Sequence, residues 1–492
     1  MTLWEFYQDY EMKLAQKFFR INQRGVALNL AKLENLRKHL VAELGKACKE
    51  VEPSVNRPVF PSAKEAKGFE GDYFNLSSPT QVLAALKGCG LKIRKNQFGK
   101  ESTNEEQLNR IYAETGHPFP KALLKVRELN KIKDTYVDAP LFNGNILLSD
   151  YLVTGTVSGR RSSRANVFGY GTNTQNLPLH SNLGERYREC IEARPGKIFL
   201  IVDQKSAEDW LVQGIIADVS GDRTGLDELF SGVNRHQKLA SFIFGKPWDE
   251  CHKETLFYYM GKKTRHAGQY DMGAFRMAQV FISEGFPLQQ TYCEFLLAKF
   301  HQAEPSIRGV YHEYIKRELS NGRILRTPLG RERYFFSLRP YSDNTKIFKE
   351  AYSYIPQSTV GDNTGMAILW LESHGYPYVV MDGHDAVYLE VDDTDDSISE
   401  GAKALTRAFD REINFPNGLR LKIPLETEVG YNLKNKYKCN GTDVKELIKR
   451  LREKEGAPRC AKSRTGLVPT STTSVELQTA QGDSCSGVVA PL

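Results

Sequence analysis

The sequence predicts an α+β protein: one sheet domain carrying a long helical insertion. Three observations lead there. Apolar runs of strand length lie in two blocks far apart, "GKIFLIVD" at 196–203 and the two arms of "VVMDGHDAVYLEV" at 379–391. Between them, residues 205–320 carry mostly helical periodicity. The first 135 residues are also helical in pattern, with long segments such as "LAKLENLRKHLVAELGKACKEV", interrupted by a Pro/Gly/Asn-rich stretch from Pro53 to Ser78. In "VVMDGHDAVYLEV", Gly383 supplies a turn residue between two arms that read as a hairpin. Residues 324–440 mix strands and helices. From 455 onward the chain is rich in Ser, Thr and Gly without a sustained period, which reads as a disordered tail. The expected divisions are 1–149 (N-terminal helices), 150–235 (first part of the sheet domain), 236–323 (helical insertion), 324–440 (second part of the sheet domain) and 441–492 (a largely disordered tail).

With 492 residues the chain can bury a large core. No apolar run approaches the ~20 residues of a membrane span, and the N-terminus has no signal-peptide pattern. The eight cysteines are scattered without a CxxC pair, so reduced thiols in a cytoplasmic setting are expected and structural zinc is not. A net charge of +7 tolerates a polyanionic partner without requiring one. Basic side chains cluster locally in "SGRRSSR" (Arg160, Arg161, Arg164) and "NGRILRTPLGRERYF" (Arg323, Arg326, Arg331, Arg333), where a solvated surface is the competing explanation.

The His384–Asp385 pair at the hairpin tip is by itself an ordinary turn. A second carboxylate, Asp203, ends the strand "KIFLIVD", and Glu208 follows one turn into the next helix. Asp residues on neighbouring strand ends could hold two Mg²⁺ ions roughly 3.5–4 Å apart, the arrangement for in-line phosphoryl transfer, with Mn²⁺ as a substitute. Mg²⁺ needs only one or two carboxylates when substrate phosphates complete its shell. In "YYMGKKTRHAGQYDMGAF", Tyr258, Lys262, His266 and Tyr270 recur every fourth residue and share one helix side. That side could grip a triphosphate and offer a ring for base stacking, although aromatics at this spacing more often face a core.

Taken in order, these segments resemble family A DNA polymerases over nearly all of residues 15–440. "TGTVSGRRSS" followed by "NTQNLP" is similar to the family's TxTGRLSS…NLQNIP segment; "VDQKSAEDW" to motif A (DYSQIELR); "NRHQKLASFIFG" to DxHTxTASxxFG; "KKTRHAGQYDMGAF" to motif B; "TPLGRERYF" to TLFGRRRY; "IPQSTVGD" to PVQGTAAD; and "GHDAVYLEV" to motif C (HDE). "VRELNKIKDTYVDA" resembles the family's thumb segment.

The resemblance implies a right-hand polymerase fold: an antiparallel palm, a helical fingers insertion and a helical thumb. It implies template-directed addition of dNTPs to a primer 3′-OH, with two Mg²⁺ ions as cofactors. Asp203, Asp385 and the Gln204 carbonyl become metal ligands; Asp203, Asp385 and Lys262 the catalytic residues; and Gln204, Glu208 (a steric gate), His236, Lys262, His266 and Tyr270 the nucleotide-binding set. Arg160, Gln175, Asn176, Gln357 and His384 become contacts to the primer–template. The expected partners are a DNA primer–template and dNTPs, with a separate exonuclease, helicase or clamp conceivable, no membrane, and a monomeric chain. The early acids Asp9 and Glu11 do not form an exonuclease pattern, so no proofreading is expected in this chain. Compact forms of this kind resemble phage or viral replication enzymes, which would place the protein in a bacterial host's cytosol.

Four departures stand out. Ala386 replaces the motif C glutamate, Tyr258 the arginine four residues before Lys262, Asp271 the glycine after the motif B tyrosine, and Gln204 the tyrosine after the motif A aspartate. They keep open a catalytically impaired primer–template-binding protein. A single-subunit RNA polymerase is the other alternative, opposed by Glu208, and a metal-dependent nuclease is a third, for which the Lys262 and Tyr270 helix has no use.

Overall fold

The strand "KIFLIVDQ" alternates between two buried faces and therefore occupies the middle of a sheet rather than its edge. The computed structural model describes residues 2–95, 99–178, 181–284, 286, 288–339 and 342–456. Its main sheet holds β1 (Lys197–Gln204), β2 (Val379–Asp382), β3 (Ala386–Asp392), β4 (Leu425–Gly430) and β5 (Tyr437–Asn440). They lie in the order β2-β3-β1-β4-β5, every neighbour antiparallel. Ile198, Leu200 and Val202 of β1 enter one core, and Phe199 and Ile201 enter another on the opposite face. Burial of these five side chains contributes on the order of 10 kcal/mol.

Eight helices carry or support the residues of the site: α1 (Met12–Arg24), α2 (Ala207–Ser220), α3 (Arg235–Phe244), α4 (Leu256–Gln269), α5 (Gln290–Ala303), α6 (Thr345–Ser373), α7 (Asp395–Phe409) and α8 (Lys445–Glu455). The helices inserted between β1 and β2 share their own core, in which Trp210, Leu239, Met260, Leu296 and Phe300 are buried. Gly268 lets α4 lie against α5, because a Cβ there would sit 2.1 Å from the Phe300 ring. The helices Leu30–Val55 and Pro118–Ile132 build the thumb-side core, which reaches Phe199 and Ile201 of β1.

Two expectations need adjustment. Within 1–149, α1 does not join the thumb core: Leu14, Phe18 and Ile21 pack under the sheet with Ile198 and Leu200. Within 441–492, α8 is an ordered amphipathic helix whose Leu447, Ile448 and Leu451 are buried in that same core. The remainder of that segment, from 457, lies outside the described residues. Asp9 forms an i,i+4 pair with Lys13, while Glu11 is held by Arg331, so these acids are separately engaged.

The longest helix, α6, contains Pro356. Proline lacks the N–H that would bond the carbonyl four residues earlier, that of Tyr352. The buried Tyr311 hydroxyl from the helical insertion donates to that carbonyl instead. The helix therefore continues unbroken to Gln357 and beyond, tied at this point to the insertion.

Candidate active site

The antiparallel register sets Asp203 of β1 opposite Ala386 of β3, immediately after Asp385. The Gln204 N–H donates to the Asp385 carbonyl at 3.1 Å. Asp203 lies on the same strand face as Phe199 and Ile201, beyond the end of the thumb-side core. Burial first, and then repulsion from Asp385, push the Asp203 carboxyl up to about 7. The protein crowded around Asp385 likewise raises it, although the residue is exposed at the hairpin tip. Neither carboxylate has a base at ion-pair distance among the described residues. Two unneutralised acids beside a backbone carbonyl form a hard-oxygen donor set suited to Mg²⁺. A bound cation would relieve the repulsion that raises Asp203. No cluster of three or more metal-binding side chains occurs among the described residues, so other ligands would come from substrate and water.

The raised acid has a consequence for stability. A carboxyl whose folded value exceeds its unfolded one is penalised by folding at high pH, and the penalty fades below the unfolded value. Asp203→Asn is therefore expected to stabilise the divalent-free protein on the order of 2 kcal/mol near pH 8 and not near pH 4. Urea unfolding at the two pH values measures this; equal effects at both would contradict it.

The Gln204 side chain is turned inward. It is 2% exposed, donates to Thr364 Oγ1 (2.8 Å) and the Val360 carbonyl (3.2 Å), and accepts from Asn363 (2.7 Å). It locks β1 onto α6, leaving its backbone carbonyl, the group the resemblance assigns to the metal, to meet a ligand.

Glu208, in the first turn of α2, is gripped from two sides: Arg160 pairs with one carboxylate oxygen and the Tyr270 hydroxyl donates to the other. Three residues expected to act on primer, sugar and base thus meet in one contact. Tyr270 caps α4, with its ring against the insertion core. In this conformation the Tyr270 hydroxyl holds the Glu208 carboxylate rather than standing free.

On the insertion side, His236 and His266 lie together with ring centroids 5.5 Å apart, and Tyr258 meets His236 edge-on at 6.0 Å. Lys262 is exposed one turn from each of Tyr258 and His266. Burial, then Arg265 and His266, push His236 down to about 3; burial also lowers His266, and burial with Lys263 and Lys253 lowers Lys262. Behind this surface lies a charge network that the sequence reading missed. Arg235 binds Glu228 (3.0 Å), Asp209 (2.9 Å) and Glu304 (2.6 Å), and Arg265 binds Asp209 (2.8 Å) and Glu304. Burial opposes the charge on Asp209, but Arg265 and Arg235 outweigh it and hold that carboxyl well below its ordinary value. These bonds fasten α3 and α4 to α2, which carries Glu208.

On the hairpin side, Arg161 is 1% exposed and forms a two-pronged pair with the fully buried Asp382, while also donating to the Gly361 carbonyl at 2.6 Å. Asp382 accepts from Gln175 (3.3 Å) and from the His384 N–H (3.1 Å). Gln175 Oε1 and His384 Nδ1 are buried without a protein partner, as a surface awaiting a polar ligand would be. The positive φ of the turn falls on His384 (72°), not on Gly383. Asn176 is exposed, with its carbonyl accepting from Tyr136. Gln357 is half-buried on α6, one turn before Gly361, which packs against Arg160. In the second basic cluster Arg331 is structural, held by the buried Asp362 and by Glu11; Arg326 and Arg333 pair with Glu332 and Glu350 nearer the surface, and Arg323 is exposed.

An antiparallel palm with two acids at its strand ends, a helical insertion and a thumb-side helical core make up the right-hand polymerase fold. The chain belongs to DNA polymerase family A, whose model matches residues 45–437. It is 28% identical over 444 residues to the thermostable DNA polymerase I of Thermus filiformis, covering 87% of this chain and 48% of that protein. It is 26% identical to the Thermus aquaticus enzyme, with the same shares, and 24% identical to DNA polymerase I of Mycobacterium bovis, covering 86% and 44%. The chain thus spans about half the length of the curated relatives it matches. The POL domain of Pol1 from M. smegmatis, solved in complex with DNA primer-template and dNTP, superposes with a TM-score of 0.69 at 19% identity, over 87% of this chain and 71% of that one, and shares the fold. Among the described residues no helix is long and apolar enough to cross a membrane.

Proposed function

We propose that the chain is a template-directed DNA polymerase that adds dNTPs to a primer 3′-OH. The observation carrying this reading is the proximity of Asp203, near the end of β1, to Asp385, one residue before β3, both without a base at ion-pair distance among the described residues, with Glu208 close enough to act on Asp385. Asp203, Asp385 and the Gln204 carbonyl would hold two Mg²⁺ ions, which supply an activated 3′-OH and stabilise the departing pyrophosphate. Lys262 donates to the triphosphate and stands where a proton can pass to pyrophosphate. His236 offers a neutral ring to the same phosphates. Glu208, held still by Arg160 and Tyr270, excludes the 2′-OH by occupying its place. Gln175, Gln357, Asn176 and His384 line the primer–template side, where polar groups checking the minor groove would sense pair geometry without reading sequence.

Primer extension with dNTPs and with rNTPs tests the reading. Extension with dNTPs alone is expected; rNTP preference would favour an RNA polymerase, and DNA binding without extension an impaired binding protein. Glu208→Ala should raise ribonucleotide use about 10–200-fold relative to dNTPs. Glu208→Gln, equal in size, should retain the discrimination. If both variants discriminate like the parent, Glu208 is not the gate.

A further inference from the structure

We propose that docking of the triphosphate loads a proton onto His266, so that this imidazolium joins Lys262 as a second free positive charge on α4. The inference rests on the polymerase reading and concerns how this particular chain answers the charge of its nucleotide.

Few cations on α3 and α4 are free for a ligand. Five Lys and Arg side chains occur on α3 and α4, and four of them are held by carboxylates: Arg235 and Arg265 by Asp209 and Glu304, Lys238 by Glu228, and Lys263 by Glu284. Of these five, Lys262 alone is left for a ligand carrying several negative charges. Position 258, one turn earlier, is a tyrosine whose edge meets the His236 ring. One turn later stands His266, its ring 5.5 Å from that of His236. The two helices touch where Gly261 leaves no side chain; a Cβ there would lie 2.8 Å from that of Ala240 and 2.9 Å from the His236 carbonyl. That contact sets the first turn of α3 beside the outer face of α4. His236 Nδ1 is buried and has no partner in the protein.

The groups facing the pair decide which ring takes the proton. Glu208 and Asp209 of α2 favour a charge on His266, while Lys262 and Arg265 of its own helix oppose it. His236 meets Arg265, Lys262 and His266, balanced only by Asp209. Both rings are therefore neutral in the free protein. One opposite charge within about 4–6 Å moves a titrating group by about 1–3 units, and a triphosphate brings several such charges. His236 starts near 3 and faces Arg265 and Lys262 with Asp209 against them, so it is the harder of the two rings to charge. His266 is exposed and has the Glu208 and Asp209 carboxylates beside it, so it is the ring placed to take the proton. The proton comes from water, and the only bond formed is an imidazole N–H. His236 remains a neutral hydrogen-bonding ring against which the imidazolium lies.

Calorimetric titration of the full chain decides the matter. The protein is bound to a primer–template ending in a dideoxynucleotide, so no chemistry follows, and the next complementary dNTP is added with Mg²⁺ near pH 7 in two buffers of different ionisation enthalpy. The dependence of the observed heat on buffer counts protons. About one proton more should be taken up by the parent than by His266→Phe or His266→Gln, and the parent's Kd should weaken about tenfold more per pH unit than theirs. Tyr258→Arg combined with His266→Phe should recover affinity without proton uptake. Equal uptake in parent and both variants overturns the inference while leaving the polymerase reading intact. Absence of nucleotide binding in any buffer overturns both.

Discussion

Asp203→Ala and Asp385→Ala are each expected to lower nucleotide incorporation by about a thousandfold or more while leaving affinity for primer–template within a few-fold of the parent. The size follows from what the acids hold. Loss of several kcal/mol of charge stabilisation at the transferring phosphoryl group translates to that factor at about 1.4 kcal/mol per tenfold. The two effects separate because duplex affinity comes mainly from cations along the DNA backbone, and neither aspartate is a cation. Removing one acid also relieves burial and repulsion at the other, so neither variant should unfold. Single-turnover extension and a fluorescence-anisotropy titration on the same preparations measure the two quantities. Extension at parental rates by either variant would remove that residue from the chemistry. Ala386 sharpens the expectation: it stands beside Asp203 in the register and offers no carboxylate to compensate.

The positions of Asp203 and Asp385 were legible because each ends or begins a run of apolar residues with strand alternation, and a carboxylate at such a place has few reasons to be there. The helical insertion was legible for the same reason, as a change of period from two to about four. The partners of charged side chains were not. Arg160, Arg161 and Arg164 read as one basic cluster, yet backbone alternation sends them to Glu208, Asp382 and Asp150 in turn. Arg161 and Asp382 are 221 residues apart in sequence, and no local pattern announces such a pair. Helical spacing groups Tyr270 with Lys262 and His266, but it cannot say that its hydroxyl ends on Glu208. Gln204 occupies an expected tyrosine position, and only the packed α6 beside it explains a side chain turned inward. What remained hidden was the scaffold that holds the site still: the Arg235–Asp209–Arg265–Glu304 network and the Tyr311 contact that answers Pro356.

That scaffold makes its largest claim at Arg161. Arg161→Ala should destabilise the protein by about 3–5 kcal/mol, because it strands the fully buried Asp382 carboxylate without its counter-charge. A buried pair is nonetheless weak evidence of net stabilisation, since apolar replacements of similar volume often restore what breaking it loses. The double variant Arg161→Met, Asp382→Leu separates holding the fold from holding the site. It should recover most of the urea midpoint lost by Arg161→Ala. It should not recover extension, because Asp382 also accepts the His384 N–H and the Gln175 amide, and with them sets the turn that presents Asp385. The left-handed backbone at His384 makes this turn sensitive, for a non-glycine residue keeps that conformation only while its surroundings impose it. A double variant that is both stable and fully active would mean the hairpin places Asp385 by strand pairing alone. A stable but slow one, with dNTP affinity and kcat both changed, would assign to this buried pair the aim of the catalytic carboxylate.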